Sequence, residues 1–187
     1  GVSGASLDFD FNERGGKARL DVRDGSLTLP SGLDEPQLPL SDASVQLAWQ
    51  AQGGRWGVQF SQGRIANADL AGEFSGQWKG SLRDDAGPGT LDLTASLTRA
   101  QATAVHRYLP SALPASVRQY VRDAVLDGEF SKAKVRVRGD LAQFPFAQAQ
   151  QGEFRVAAQL HQGRYAYAPA GPKALPWPAL RELQGEL

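Results

Sequence analysis

The residue types that most often carry catalysis are scarce in this chain of 187 residues. Its two histidines, His106 and His161, are distant in sequence, and neither has a cluster of metal-binding neighbours. Asp84 and Asp85 are adjacent carboxylates, but their Gly/Pro-rich surroundings predict a solvated loop rather than the pocket that acid–base catalysis requires. Cysteine is absent, which excludes thiolate sites and disulfides. We therefore expect no enzymatic activity, no metal site and no cofactor.

One charge pattern has the spacing of a binding surface. Basic residues alternate with apolar ones at Lys132, Lys134, Arg136 and Arg138. Alternate residues of a strand point to the same side, so this basic stripe is predicted to share one face. It could meet lipid or nucleic-acid phosphates, or it could be a solvated face with acidic neighbours across the strand. Because 20 basic residues balance 20 acidic ones, there is no overall field to attract nucleic acid, and we expect no such partner.

The elements that would position these residues are β-strands. Apolar and polar residues alternate over 7–11, 18–22, 45–49, 56–60, 74–78, 91–97, 133–137 and 154–160. Such period-two alternation is typical of antiparallel strands with one apolar and one solvated face. Glycine-containing segments predict tight hairpins between strands, at Gly15-Gly16, Asp24-Gly25, Gly53-Gly54, Gly87-Pro88-Gly89 and Gln162-Gly163. The sequence thus predicts a mainly β fold, a long antiparallel meander.

One region interrupts this alternation. Residues 98–101 have the spacing of a helix capping box, followed by apolar residues at helical intervals up to Leu109. Pro110 would end that helix, Pro114 would begin a second one, and Gly128 would cap its end. We predict two short helices, at 99–109 and 114–127. The domain prediction is a single unit over 1–187, with strands over 5–97, a helical insertion over 99–127 and strands over 130–187.

The apolar face of such a meander must be covered or put to use. A closed barrel, a two-sheet sandwich and a half-pipe with an apolar trough all satisfy the alternation. In a half-pipe the open face would be a large apolar patch, which marks a binding site, and an acyl chain would suit it. The chain does not begin with methionine, so we expect a processed chain or an internal fragment of a longer protein.

Several short motifs resemble one protein family. They are His-Arg-Tyr-Leu-Pro at 106–110, Val-Arg-Gln-Tyr-Val at 117–121, Gly-Asp-Leu-Ala-Gln-Phe-Pro-Phe at 139–146, Ile-Ala-Asn-Ala-Asp at 65–69 and Gly-Gln-Trp at 76–78. Together they resemble the YhdP branch of the AsmA-like proteins, and the similarity runs over most of the chain. The block at 139–146 is the most specific of these motifs.

The resemblance implies a strongly curved meander sheet, a segment of a repeating β-groove. It also implies a periplasmic protein of Gram-negative bacteria, anchored in the inner membrane by a helix outside this chain. The implied function is non-enzymatic phospholipid transport, or lipid homeostasis, between the inner and outer membranes. The implied partners are phospholipid and neighbouring segments of the same full-length protein.

On this reading we hypothesise that apolar strand positions line the groove and hold acyl chains. The candidates are Leu20, Val22, Leu47, Trp49, Val58, Phe60, Phe74, Trp78, Leu91, Leu93, Val135, Val137, Phe154 and Val156. The basic stripe would face lipid headgroups. The alternative function is a structural or protein-interaction module of the cell envelope, whose strand edges pair with an envelope protein.

Overall fold

The computed structural model describes residues 1–28, 37–83, 86–109, 111, 113–146, 148–168 and 179–186. These residues form one antiparallel sheet of nine strands, in which each strand pairs with its neighbours in sequence and the two ends do not meet. The strands are β1 (Val2–Asn12), β2 (Gly15–Thr28), β3 (Gln37–Gln52), β4 (Arg55–Ala66), β5 (Leu70–Gly80), β6 (Thr90–Gln101), β7 (Val125–Asp140), β8 (Gly152–Tyr165) and β9 (Leu180–Glu186). The predicted antiparallel meander is confirmed, and neither a closed barrel nor a second sheet forms among the described residues.

The helical insertion lies between β6 and β7, as predicted, but its boundaries differ. It consists of a 3₁₀ helix, Ala102–Tyr108, and helix α1, Ala115–Ala124. The prediction of a helix start near residue 99 was wrong, because Ala100 and Gln101 still pair with β7. The second helix stops at Ala124 instead of 127, since Val125 already pairs with β8. At both ends the hydrogen bonds of the sheet replace the local helix signals.

Of the five predicted hairpin turns, Asp24-Gly25 and Gln162-Gly163 are instead irregularities inside strands, and Gly15-Gly16 begins β2 just after the turn at 13–14. Gly87-Pro88-Gly89 lies in the β5–β6 connection, as predicted. Gly53-Gly54 does form the β3–β4 turn, with φ values of 58° and 78° that such a turn requires. Asp24 and Gln162, however, lie within β2 and β8 with φ values of 45° and 51°. At both places the pairing register shifts, as in a β-bulge.

Further bulges occur in β4 and β7. Gln62 and Lys132 also have positive φ values, and the register shifts beside each of them. A bulge bends its strand and increases the local twist. Bulges distributed over β2, β4, β7 and β8 therefore curve the sheet.

The sheet has little enclosed core. The chain exposes 12538 Å², whereas a compact monomer of 20.0 kDa would expose about 8,700 Å². Among the described residues no large side chain is less than 2% exposed. The strands therefore form an open layer, and the helical insertion covers only part of it.

Candidate functional site

The candidate site is the apolar face of the sheet, which the strand register makes continuous. Directly paired residues point to the same side, and one such row crosses eight strands, from β1 to β8. Its members, in order, are Phe9, Ala18, Leu47, Phe60, Gly76, Leu93, Val137 and Phe154. At the usual strand spacing this row is about 34 Å long.

Parallel rows extend the apolar face on both sides of this one. Toward the β3–β4 turn lies a row formed by Trp49, Val58, Trp78 and Leu91. On the other side lie Phe74, Ala95, Val135 and Val156, while Leu20 and Val22 alternate with Ala18 along β2. The structure thus brings all of the predicted groove residues onto one face, and their contact with lipid stays a prediction.

Exposure varies strongly across this face. Val137 is only 8% exposed, whereas its neighbours on β8, Phe154 and Val156, are 49% and 47% exposed. On the edge strand β1, Phe9 and Phe11 are 60% and 64% exposed. The face is therefore closely covered at single positions such as Val137 and open along β1 and β8.

The basic stripe lies on the opposite, polar face. Arg136 forms an ion pair with Asp92, donates a 3.0 Å hydrogen bond to Thr94 Oγ1 and lies 4.0 Å from Glu153. Arg138 Nε lies 3.8 Å from an Asp92 carboxylate oxygen. The hydrogen bond from Arg136 lowers the pKa of Asp92, and burial opposes this shift.

The four basic residues are thus not equivalent. Arg136 and Arg138 face acidic partners, Lys134 is exposed, and Lys132 sits at the β7 bulge. Because Lys134, Arg136 and Arg138 alternate with Val135 and Val137, they point away from the apolar face. Their contact with lipid headgroups stays a prediction.

The polar face also carries shallow hollows. One of about 600 Å³ is lined by Asp10, Lys17, Arg19, Gln46 and Gln59, among others. Charged and amide groups of this kind would leave an acyl chain in a polar environment. An acyl chain is better accommodated on the apolar side of the sheet.

A partly buried polar cluster connects the β4–β5 turn to the helical insertion; we call it the Asn67 cluster, formed by Asn67, Asp69, Arg99, Arg107 and Tyr108. Asn67 is only 5% exposed. Its Oδ1 accepts hydrogen bonds from the backbone amides of Asp69 and Leu70, both at 2.9 Å. Its Nδ2 donates to the Pro39 carbonyl at 3.1 Å and to the Tyr108 hydroxyl at 3.0 Å.

The remaining members complete this cluster. Asp69 accepts hydrogen bonds from Arg107 at 2.6 Å and from the Tyr108 hydroxyl at 3.0 Å. Arg99 donates to the carbonyls of Asn67 and Ala68, at 2.7 and 2.8 Å. Burial raises the pKa of Tyr108 to about 12. The cluster therefore fixes the 3₁₀ helix to a turn that is about forty residues away in sequence.

Comparison with known proteins places the chain in a family. The family described as YhdP protein matches residues 1–187. The chain belongs to the YhdP family. The YhdP family is linked to lipid transport in the cell envelope. No curated protein and no solved structure matches the chain. Within the described ranges, the structure has no helix long and apolar enough to span a membrane.

Two of the motifs that resemble the YhdP family meet in the Asn67 cluster. Asn67 and Asp69 come from the motif at 65–69, and Arg107 and Tyr108 come from the motif at 106–110. Sequence reasoning treated these as separate signatures and missed their contact. The sequence hints at this contact only in that both motifs contain polar or charged residues, which need hydrogen-bond partners when they are buried.

Proposed function

We propose that this chain is a non-enzymatic lipid-binding segment that helps move phospholipid, or maintain its balance, between the inner and outer membranes. The observation that carries the proposal is the continuous, open apolar face, which spans β1 to β8. A contiguous apolar surface of this size on a folded domain is typical of a binding site. Membership of the YhdP family supports the same conclusion.

In this mechanism acyl chains lie on the apolar rows and headgroups stay in water at the open rims. Each methylene removed from water contributes about 0.8 kcal/mol, so about ten buried methylenes correspond to micromolar affinity. The rows described above contain no charged side chains, so an acyl chain that moves along them contacts apolar groups throughout. Movement along the face then requires no covalent step, and the proposal assigns no catalytic residue and no cofactor.

The nearest arrangement to a nucleophile and base is on the polar face. Ser131 Oγ and His161 Nε2 lie 2.6 Å apart. His161 is exposed on an open strand, so solvent reaches this pair freely. Nucleophilic catalysis also needs donors that stabilise the developing oxyanion in a water-excluded site. We interpret the contact as a cross-strand hydrogen bond.

The proposal also gives the protein a place in the cell. A phospholipid carrier between the two membranes must work in the periplasm, and we propose that the full-length protein is anchored in the inner membrane by a segment outside this chain. Neighbouring segments of the same protein would extend the apolar face beyond β1 and β9.

Extraction of the purified chain followed by lipid mass spectrometry tests the proposal. We expect phospholipid above the level of a matched protein that binds no lipid. Val156→Asp places a carboxylate on the exposed apolar face and should remove this lipid, because a charge among acyl chains is strongly unfavourable. Ser96→Asp is the matched control, since it places the same group on the polar face opposite Lys134 and should leave lipid content unchanged.

Two results would contradict the proposal. One is lipid at the control level in the unaltered chain. The other is equal lipid content in the Val156→Asp and Ser96→Asp proteins, which would mean that lipid is carried elsewhere.

A second candidate function is a protein-interaction module of the envelope. It is favoured by β1, an edge strand whose residues are all exposed and whose single partner among the described strands is β2. Such an edge can accept a strand from another protein by β-augmentation. Lipid-free protein that binds a strand from an envelope protein at β1 would support this function instead.

A further inference from the structure

The apolar face has a gap in its own side chains near the end of β7. Gly139 and Gly152 pair with each other, and Gly139 also pairs with Leu91, so both glycines continue the row that contains Trp78. Neither residue contributes a side chain to the face. Without further cover, this part of the sheet would be bare backbone.

The ring of Phe146 fills this gap. A Cβ atom placed on Gly152 would lie 2.7 Å from the Phe146 ring, and one placed on Gly139 would lie 2.8 Å from it. Both distances are shorter than any tolerable contact. The paired glycines therefore allow the ring to lie directly on the sheet.

The connection from β7 to β8 is built to hold this ring in place. The Leu141 amide donates to the Gly89 carbonyl at 2.9 Å, and the Phe146 amide donates to the Gln143 carbonyl at 2.8 Å. Phe146 has a φ of 62°, a region that aromatic residues rarely adopt. Backbone strain of this kind persists only where surrounding contacts impose it, and it is concentrated at functional sites.

The ring belongs to a cluster of three. Phe144 packs edge-to-face against Phe146 and against Phe154, with ring centroids 5.3 Å apart in both pairs. Phe154 is the β8 member of the long apolar row. The cluster, which we call the phenylalanine stop (Phe144, Phe146 and Phe154), therefore stands at the β8 end of the long row, and its Phe146 ring closes the neighbouring row that contains Trp78.

We propose that the phenylalanine stop limits the length of acyl chain that the row containing Trp78 can hold. This inference rests on the proposed function, since it concerns the same apolar face and the same class of ligand. A linear chain lying along the row that contains Trp78 meets the Phe146 ring beyond Leu91 and cannot continue onto the surface over Gly139 and Gly152. Chains that are too long must leave part of their methylenes in water.

Binding of two fatty acids tests this inference. Dodecanoic and octadecanoic acid, each carrying the same fluorescent group, are titrated into the unaltered chain and into Phe146→Ala, and the ratio of the two affinities is compared. Removing the ring opens the surface over the glycines. We expect the preference for the longer probe to rise by about tenfold, equivalent to roughly two more buried methylenes.

Phe9→Ala is the matched control, because it removes a ring from the neighbouring long row at the opposite edge of the apolar face. It should weaken both probes without changing their ratio. If the circular dichroism spectrum of Phe146→Ala differs from that of the unaltered chain, Phe144→Ala provides the same test. The preference for the longer probe should again rise.

The outcomes separate the inference from the proposed function. If both probes bind and neither variant changes their ratio, the phenylalanine stop is overturned while lipid binding stands. If neither probe binds the unaltered chain, the proposed function fails and the inference fails with it. A higher ratio in Phe146→Ala but not in Phe9→Ala supports the inference.

Discussion

Substitution of Tyr108 by phenylalanine removes one oxygen atom from the Asn67 cluster and should cost the protein about 2 kcal/mol of stability. The hydroxyl donates to the Asp69 carboxylate and accepts from Asn67 Nδ2, both at 3.0 Å. A hydrogen bond to a charged group contributes about 1.5–3 kcal/mol and a neutral one about 1 kcal/mol, and some water can replace them. Because Asn67 is 5% exposed, its amide would be left partly without a partner.

A second substitution tests the same geometry from the other side. Asn67→Ala removes four hydrogen bonds, two of them to backbone amides of the β4–β5 turn. We expect a loss of about 3 kcal/mol. Since Asn67 and Tyr108 contact each other directly, the double variant should be less destabilised than the sum of the two, by about 1 kcal/mol.

Urea unfolding followed by circular dichroism measures these losses. Hydrogen exchange of the amides at 102–108 then shows whether the 3₁₀ helix detaches before the sheet unfolds. Tyr167→Phe is the control, because Tyr167 is 71% exposed and should tolerate the change. If Tyr108→Phe lies within about 0.5 kcal/mol of the control, with unchanged exchange, then the cluster does not hold the helical insertion.

The pKa of Tyr108 adds a pH signature to this prediction. Burial raises that pKa from about 10 to about 12, so the folded state favours the neutral phenol. The corresponding stability is fully present below pH about 10 and is lost as pH rises toward about 12. Tyr108→Phe should lack this alkaline decline in melting temperature, and an identical decline in both proteins would assign it to other groups.

Three further changes have outcomes that the structure determines. Val137→Asp should lower the free energy of unfolding in urea by about 3 kcal/mol or more, because its site is 8% exposed. Val156→Asp, at 47% exposure, should lower it by about 1 kcal/mol. Equal losses would contradict an open face. Asp92→Asn should lower the free energy of unfolding by less than about 1 kcal/mol at neutral pH. Arg136 lowers the pKa of Asp92, so the contribution of the carboxylate is lost on protonation and the difference should vanish as pH falls below about 4. A difference that persists in acid would refute this. Gly152→Ala should cost about 1–3 kcal/mol, since the new Cβ would lie 2.5 Å from the Arg138 carbonyl oxygen and 2.7 Å from the Phe146 ring; an unchanged unfolding midpoint would show that the ring lies elsewhere.

Much of the fold could be predicted from the sequence because strand alternation is a local property. Residues two apart on a strand point to the same side whatever the strand pairs with, so Leu47 and Trp49 had to share a face. The short two-glycine turn at 53–54 likewise fixes which strands are neighbours and in which register. From these local facts the shared apolar face followed, and the structure has it.

Other features required contacts between distant residues. A positive φ at Asp24 suits a hairpin and a bulge equally well, and only pairing with β1 and β3 makes it a bulge. The helical signal at 98–101 is outweighed by the β6–β7 pairing, whose hydrogen bonds are cooperative along the strand.

The candidate site divides along the same line. Its apolar rows follow from local alternation, but its boundaries do not. Tyr108 reaches Asn67 across 41 residues, and the Phe146 ring lies on a glycine pair supplied by two different strands. The sequence by itself therefore determined which side of each strand is apolar, whereas the tertiary structure alone decided that this side stays open and what lies at its ends. The physical reason is that side-chain direction depends on one strand, while cover and closure depend on how all nine strands pair and curve.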